Sequence, residues 1–98
     1  MLDVLQSDTF QKWLSKLKDV VARARIEMRI RRLSLGNAGD CKSVGKGIME
    51  LRIDYGSGYR VYYMQRGPLL IVLLCGGDKR TQNTDIQRAG VIAKDWRD

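Results

Sequence analysis

Phe10, Trp13, Leu14 and Leu17 recur at i, i+3, i+4 and i+7, which is one face of a helix, and Ser7 or Asp8 is placed to cap it. The spacing predicts a short amphipathic helix ending near residue 18. After Asp19 a second helical pattern begins, with Ala22, Ile26, Ile30 and Leu33 on one face and Gly36-Asn37 placed to end it. Two helices with almost no loop between them are expected to pack as a hairpin.

From Ile48 the period changes to two. Met49, Leu51, Ile53 and Tyr55 point one way and Glu50, Arg52 and Asp54 the other, as in a strand with one buried face. Gly56-Ser57-Gly58 turns the chain into a Tyr- and Val-rich strand over residues 59–66, and Gly67-Pro68 turns it into residues 69–75. That last strand is apolar throughout, so it needs cover on both faces. Gly76-Gly77 breaks it, and Thr84 with Gln87 resembles a capping box opening a final helix through Ile86, Ala89, Ala93 and Trp96. A further short strand is expected at residues 1–5, and residues 36–47 read as a long loop. The fold class is therefore α+β: two N-terminal helices packed on an antiparallel sheet of about four strands, plus a C-terminal helix.

At 98 residues the chain makes a single domain with one core. Hydrophobic residues at 44% and charged residues at 30% are the balance of a folded globular domain. No apolar run is long enough to span a bilayer, and no signal peptide pattern is present, so a cytoplasmic location is expected. Cys41 and Cys75 form no CxxC pair and there is no histidine, so neither a disulfide framework nor a zinc site is expected, and the scattered carboxylates Asp40, Asp54, Asp78 and Asp85 predict no metal and no cofactor.

Eighteen Lys and Arg against eleven Asp and Glu leave a formal charge of +7, which suits a polyanion partner or merely a soluble surface. Where the charges fall decides between them. Arg25, Arg29 and Arg32 lie at i, i+4 and i+7 and make a basic stripe on the second helix, which is a solvated face, a contact for an acidic partner segment, or a phosphate contact. A second cluster gathers Glu50 and Arg52 on one strand, Arg60 on the next, and Lys79 and Arg80 after the third, where they can meet on an open sheet face. Lys42 and Lys46 come to the end of the same sheet, and Tyr55, Tyr59, Tyr62 and Tyr63 bring aromatic rings among the charges.

Metal-free RNA cleavage needs a 2′-hydroxyl deprotonated, charge on the phosphoryl oxygens stabilised, and the 5′-oxygen protonated. Arginine suits the middle task; without histidine, Glu50 is the candidate base and a lysine crowded by cations the candidate acid or base. The competing structural reading is a cross-strand salt-bridge network of Glu50, Arg52 and Arg60.

Phe10 with Trp13-Leu14, Gly39-Asp40-Cys41-Lys42, Glu50-Leu51-Arg52, Gly58-Tyr59-Arg60-Val61-Tyr62-Tyr63, and Leu73-Leu74-Cys75-Gly76-Gly77-Asp78-Lys79 with Gln82 and Asp85-Ile86 follow one another in the chain. In that order and spacing they resemble the HigB-like addiction-module killer proteins of the RelE/ParE toxin superfamily, over nearly the whole chain. The resemblance implies a RelE-like fold and the toxin of a type II toxin-antitoxin pair. It also implies a ribosome-dependent endoribonuclease that cuts mRNA by 2′-hydroxyl attack, and a cognate antitoxin, often with a helix-turn-helix domain, that neutralises it. Arg60 matches a catalytic arginine of the RelE-type enzymes, and Lys79 or Arg80 lies where they carry a second basic group. Glu50 stands where they have a catalytic lysine, and their carboxyl-terminal tyrosine has no counterpart. Lys42, Lys46, Arg52 and Arg80 are then expected to bind RNA, and Arg25, Arg29 and Arg32 the antitoxin. The same fold also carries non-enzymatic gyrase poisons of the ParE type, and a non-toxic basic binding module of prophage origin is the third alternative.

Overall fold

The computed structural model describes residues 1–97 and has the expected α+β architecture, with a sheet that is larger and of mixed direction. The chain runs β1 (Asp3–Gln6), α1 (Asp8–Lys16), α2 (Val20–Ser34), β2 (Cys41–Gly45), β3 (Ile48–Ile53), β4 (Tyr59–Arg66), β5 (Leu70–Gly77), a 3-10 turn (Lys79–Thr81) and α3 (Gln82–Asp95). The sheet has five strands in the order β1-β5-β4-β3-β2. All neighbours are antiparallel except β1, which lies parallel to β5.

The helix starts follow their caps. Ser7 Oγ accepts the Phe10 amide at 3.0 Å and donates to the Leu74 carbonyl at 2.5 Å, so one hydroxyl begins α1 and ties it to β5. Asp19 accepts the Val21 and Ala22 amides and begins α2. At the other end of α2 the Asn37 amide bonds back to the Arg32 carbonyl, a C-terminal closure at the Gly36-Asn37 position read from sequence.

Two apolar clusters lie on opposite faces of the sheet. Phe10 of α1 and Ile26 and Leu33 of α2 pack with Leu51, Ile53, Val61, Tyr63, Ile71 and Leu73, so the two helices meet the sheet rather than packing chiefly on each other as a hairpin. Ala89 of α3 packs with Ile48, Tyr62, Met64, Val72, Leu74 and Cys75. The bulge between Tyr62 and Tyr63 explains how consecutive Leu74 and Cys75 both reach the α3 side, since the pairing skips Leu74 there.

Three further expectations need correction. Residues 41–45, read as loop, form edge strand β2, paired through Lys42↔Glu50 and bulged before Gly45; the bulge breaks the two-residue alternation by which a strand is recognised. The expected Thr84 and Gln87 box does not open the last helix: Asp78 and Thr81 form the capping box of the 3-10 turn, and α3 runs on from Gln82. The face bearing Glu50 is not open, because α3 covers it and Glu50 is fully buried.

Candidate functional site

Glu50 is the hub of the charged cluster. Register places it opposite Lys42 on β2 and Tyr62 on β4, with Arg52 directly opposite Arg60 two pairs further along and so on the same face. Its carboxylate accepts hydrogen bonds from Arg52 Nε at 3.1 Å, the Tyr62 hydroxyl at 2.9 Å and Gln82 Nε2 at 2.7 Å, and Arg60 Nε lies 3.9 Å away. Burial pushes the Glu50 carboxyl upward, but the three hydrogen bonds and the Arg60 charge together outweigh it, so the group is held below its ordinary range. Burial and the bond to Glu50 hold the Tyr62 hydroxyl protonated far above the usual phenol range. A carboxylate so saturated with donors is a weaker proton acceptor than a free one, and it holds Arg52 by a hydrogen bond and Arg60 by its charge.

Above this hub, Arg52, Arg60 and Lys79 line one open cleft of about 320 Å³, with Asp40, Asp54 and Gly58 on its other walls. Arg60 is held lightly. Its Nη1 donates to the Gly58 carbonyl at 3.2 Å, while its Nε is buried with no hydrogen-bond partner among the described residues. Lys79 is exposed at the start of the 3-10 turn, where its amide bonds to the Ser57 carbonyl. Two cations with spare donors and a third braced by Glu50 thus face a concave surface, an arrangement suited to phosphoryl oxygens. Among the described residues no group of three or more carboxylate or cysteine side chains gathers where it could hold a metal ion.

The other residues singled out in the sequence are dispersed. Arg80 pairs with Asp78 at 2.8 Å and lines a neighbouring cleft. Lys42 is exposed on the edge strand, and Lys46 sits at the tip of the β2–β3 hairpin beside a separate groove under α3. Arg25, Arg29 and Arg32 share a groove with Met28, Ile53 and Asp54, so this groove and the Arg60 cleft adjoin through Ile53 and Asp54. The three arginines nevertheless differ. Arg29 is spent on structure, donating to the carbonyls of Arg52, Ala38 and Asp40, whereas Arg25 lies over the Tyr55 ring at 5.0 Å and Arg32 is exposed.

Sequence reasoning missed Gln82 as a partner of Glu50, Asp40 and Asp54 as cleft walls, and Trp13, Tyr59 and Asp85 around the Gly76-Gly77 backbone. The one available signal was the glycine pair. A Cβ on Gly76 would stand 2.3 Å from the Trp13 ring and one on Gly77 1.8 Å from Asp85 Oδ2, so both glycines are there for close approach rather than to break a strand.

An uncharacterized protein of Haemophilus influenzae (strain Rd) is 56% identical over 87 residues, which is 89% of this chain and 88% of that one. The family model described as Phage derived protein Gp49-like (DUF891) matches residues 12–96, from α1 through all the residues of the Arg60 cleft to the end of α3. The chain therefore belongs to the phage-derived Gp49-like family, a family of the RelE toxin-like kind.

Proposed function

We propose that this protein is the toxin of a type II toxin-antitoxin pair and acts as a ribosome-dependent endoribonuclease on mRNA. The observation that carries the reading is the convergence of Arg52, Arg60 and Lys79 on one cleft above the buried Glu50. In the reaction the 2′-oxygen attacks phosphorus, a 2′,3′-cyclic phosphate forms, and the P–O5′ bond breaks. Arg60 and Arg52 stabilise the charge that builds on the phosphoryl oxygens, and Glu50 holds them in register. One of the two carboxylates on the cleft wall, Asp40 or Asp54, takes the 2′-hydroxyl proton in place of Glu50, and Lys79 gives a proton to the departing 5′-oxygen.

So few acid-base groups on so small a surface leave orientation to the ribosome, and positioning alone contributes on the order of 7 to 11 kcal/mol. Purified protein is expected to cut mRNA on programmed ribosomes and to leave the same RNA nearly intact without them. Rapid cutting of free RNA sinks the ribosome dependence, and no cutting in either setting sinks the nuclease.

One observation favours a second reading. The ion pairs of Glu50 with Arg52 and Arg60 form a cross-strand structural network, and a basic binding module with no chemistry would keep them for that reason alone. That network does not account for the exposed Lys79 beside Arg60 on the cleft wall, and Lys79 favours the enzyme. A ParE-like gyrase poison would give DNA damage with intact transcripts.

A further inference from the structure

The Arg60 cleft has a larger neighbour, a hollow of about 470 Å³ on the other side of the segment that carries Lys79 and Arg80. Trp13 and Tyr59 give it aromatic walls, with ring centroids 6.4 Å apart and the rings edge to face. Trp13 and Asp85 are pinned against the backbone of Gly76 and Gly77, so these walls are set before any ligand arrives. Asp85 is only 4% exposed, and the one side-chain hydrogen bond it makes among the described residues is the 2.5 Å bond from the Thr81 hydroxyl to Oδ2. Acceptor capacity thus remains on a carboxylate that lines a cavity.

Cations continue beyond it. A smaller cleft of about 320 Å³ shares Trp13, Gly76 and Arg88 with this one and adds Lys12 and Lys16. From Arg60 and Lys79, past Arg80 and Arg88, to Lys12 and Lys16, three clefts in succession are lined by positive charge with aromatic rings between them. That combination is what a single strand of nucleic acid meets in proteins that bind it: charge for the backbone and π-faces for the bases. A buried carboxylate repels phosphate and accepts from N–H groups, so the part of the strand that enters the middle cleft is a base. Guanine alone among the four bases presents two adjacent N–H donors, N1–H and N2–H, on its Watson–Crick edge.

We propose that the cleft bounded by Trp13, Tyr59 and Asp85 binds an unpaired guanine base of the RNA strand whose backbone runs to the Arg60 cleft, with Asp85 as the specificity-determining residue. This rests on the reading of the Arg60 cleft as an RNA-cleaving site, and the test separates the two. A protein carrying Trp96→Phe keeps Trp13 as its sole tryptophan, and Arg60→Ala in the same chain prevents cutting. Trp13 fluorescence is then followed during titration with short uridine oligonucleotides, each holding one central G, A or C, and with the all-uridine control.

Saturable quenching by the guanine oligonucleotide, about ten-fold tighter than by the others, is the expected result. Asp85→Asn, which can still accept from Thr81, removes that preference, and in the Arg60-intact protein it changes the base found beside the cuts without abolishing them. Arg88→Ala, on the exposed rim, weakens binding of all four oligonucleotides and keeps the guanine preference, which preserves the test if Asp85→Asn fails to fold. Equal quenching by all four, no response of Trp13, or an Asp85→Asn protein with unchanged preference overturns the proposal. Quenching of Trp13 by a short acidic peptide and by none of the oligonucleotides would assign the cleft to a protein partner and overturn it as well. Guanine-selective quenching in a protein whose wild type cuts no RNA keeps this site and removes the nuclease, whereas cuts in mRNA with no base-selective response at Trp13 do the reverse.

Discussion

Arg60 carries a buried Nε with no hydrogen bond among the described residues, at the edge of a cleft it shares with Lys79. That Nε faces the Glu50 carboxylate at 3.9 Å and Nη1 spends one bond on the Gly58 carbonyl, which leaves other guanidinium donors for a phosphoryl oxygen arriving in the cleft. Arg60→Ala is therefore expected to remain folded, since it gives up one hydrogen bond to Gly58 and a long ion pair, while cleavage falls about 100- to 1000-fold. Single-turnover cleavage beside a thermal melt checks this, and an Arg60→Ala protein that melts normally and cuts at the wild-type rate would contradict it. Glu50 predicts the opposite balance. Glu50→Ala removes the buried partner of two arginines and is expected to cost about 3 to 5 kcal/mol of stability. Because the Glu50 carboxyl is held below its ordinary 4.5, its contribution is complete above that pH and is lost as pH falls through the lowered value. Asp78, held low first by its bond to Arg80, and Asp19, held low first by the Ala22 amide, share the same sign. Urea titrations between about pH 3 and 7 should thus show stability falling on the acid side, with a shallower fall in Glu50→Gln. Equal acid slopes in the two proteins would mean that Glu50 is not the hub. The cluster itself is legible in the sequence, because alternation alone puts Glu50 and Arg52 on one face and pairing adds Arg60. That Glu50 is buried is not legible, since its cover comes from Gln82, a residue 32 positions away whose helix gives no sign of which face it will lie on.

Among the elements, α1, α2 and β3 follow from periodicity, because each buries a stripe or face whose spacing shows in the chain, and β4 and β5 follow from their β-branched, aromatic and apolar content between glycine turns. β2 and the start of α3 do not. β2 is a polar edge strand with a bulge, stabilised by pairing rather than by burial. The turn before α3 is set by a relay in which the Asp78 amide donates to Thr81 Oγ1 and the Thr81 hydroxyl donates to Asp85. The relay also fixes the short segment that carries Lys79 into one cleft and Arg80 into the other. Gly77 is where this construction is most easily broken. Gly77→Ala places a methyl against Asp85 and is expected to destabilise the protein by about 1 to 3 kcal/mol, as overpacking does. It should also lower cleavage more than the loss of stability explains, because the displaced turn moves Lys79. Denaturant unfolding and cleavage measured side by side test this, and unchanged activity in the Gly77→Ala protein would remove the relay from the account.

For the whole molecule, the charge of +7 is spread over several surfaces. The groove of Arg25 and Arg32 beside exposed Met28 adjoins the Arg60 cleft, so an acidic antitoxin segment lying along α2 would reach the cleft and mask it. Arg29 lines the same groove but already donates to three carbonyls, so Arg25 and Arg32 have more donors to offer such a segment. Arg25→Glu with Arg32→Glu should slow antitoxin association at least ten-fold at low salt and less at high salt, and surface plasmon resonance reads both. Unchanged association would place the antitoxin elsewhere. The central claim is that the cleft of Arg52, Arg60 and Lys79 cuts mRNA on the ribosome. Inducing the wild type and Arg60→Ala in parallel and mapping transcript 5′ ends within minutes tests it most directly. The account predicts new ends confined to translated frames in the wild type and absent in Arg60→Ala; intact transcripts in cells arrested by the wild type, or the same cuts made by both proteins, would contradict it.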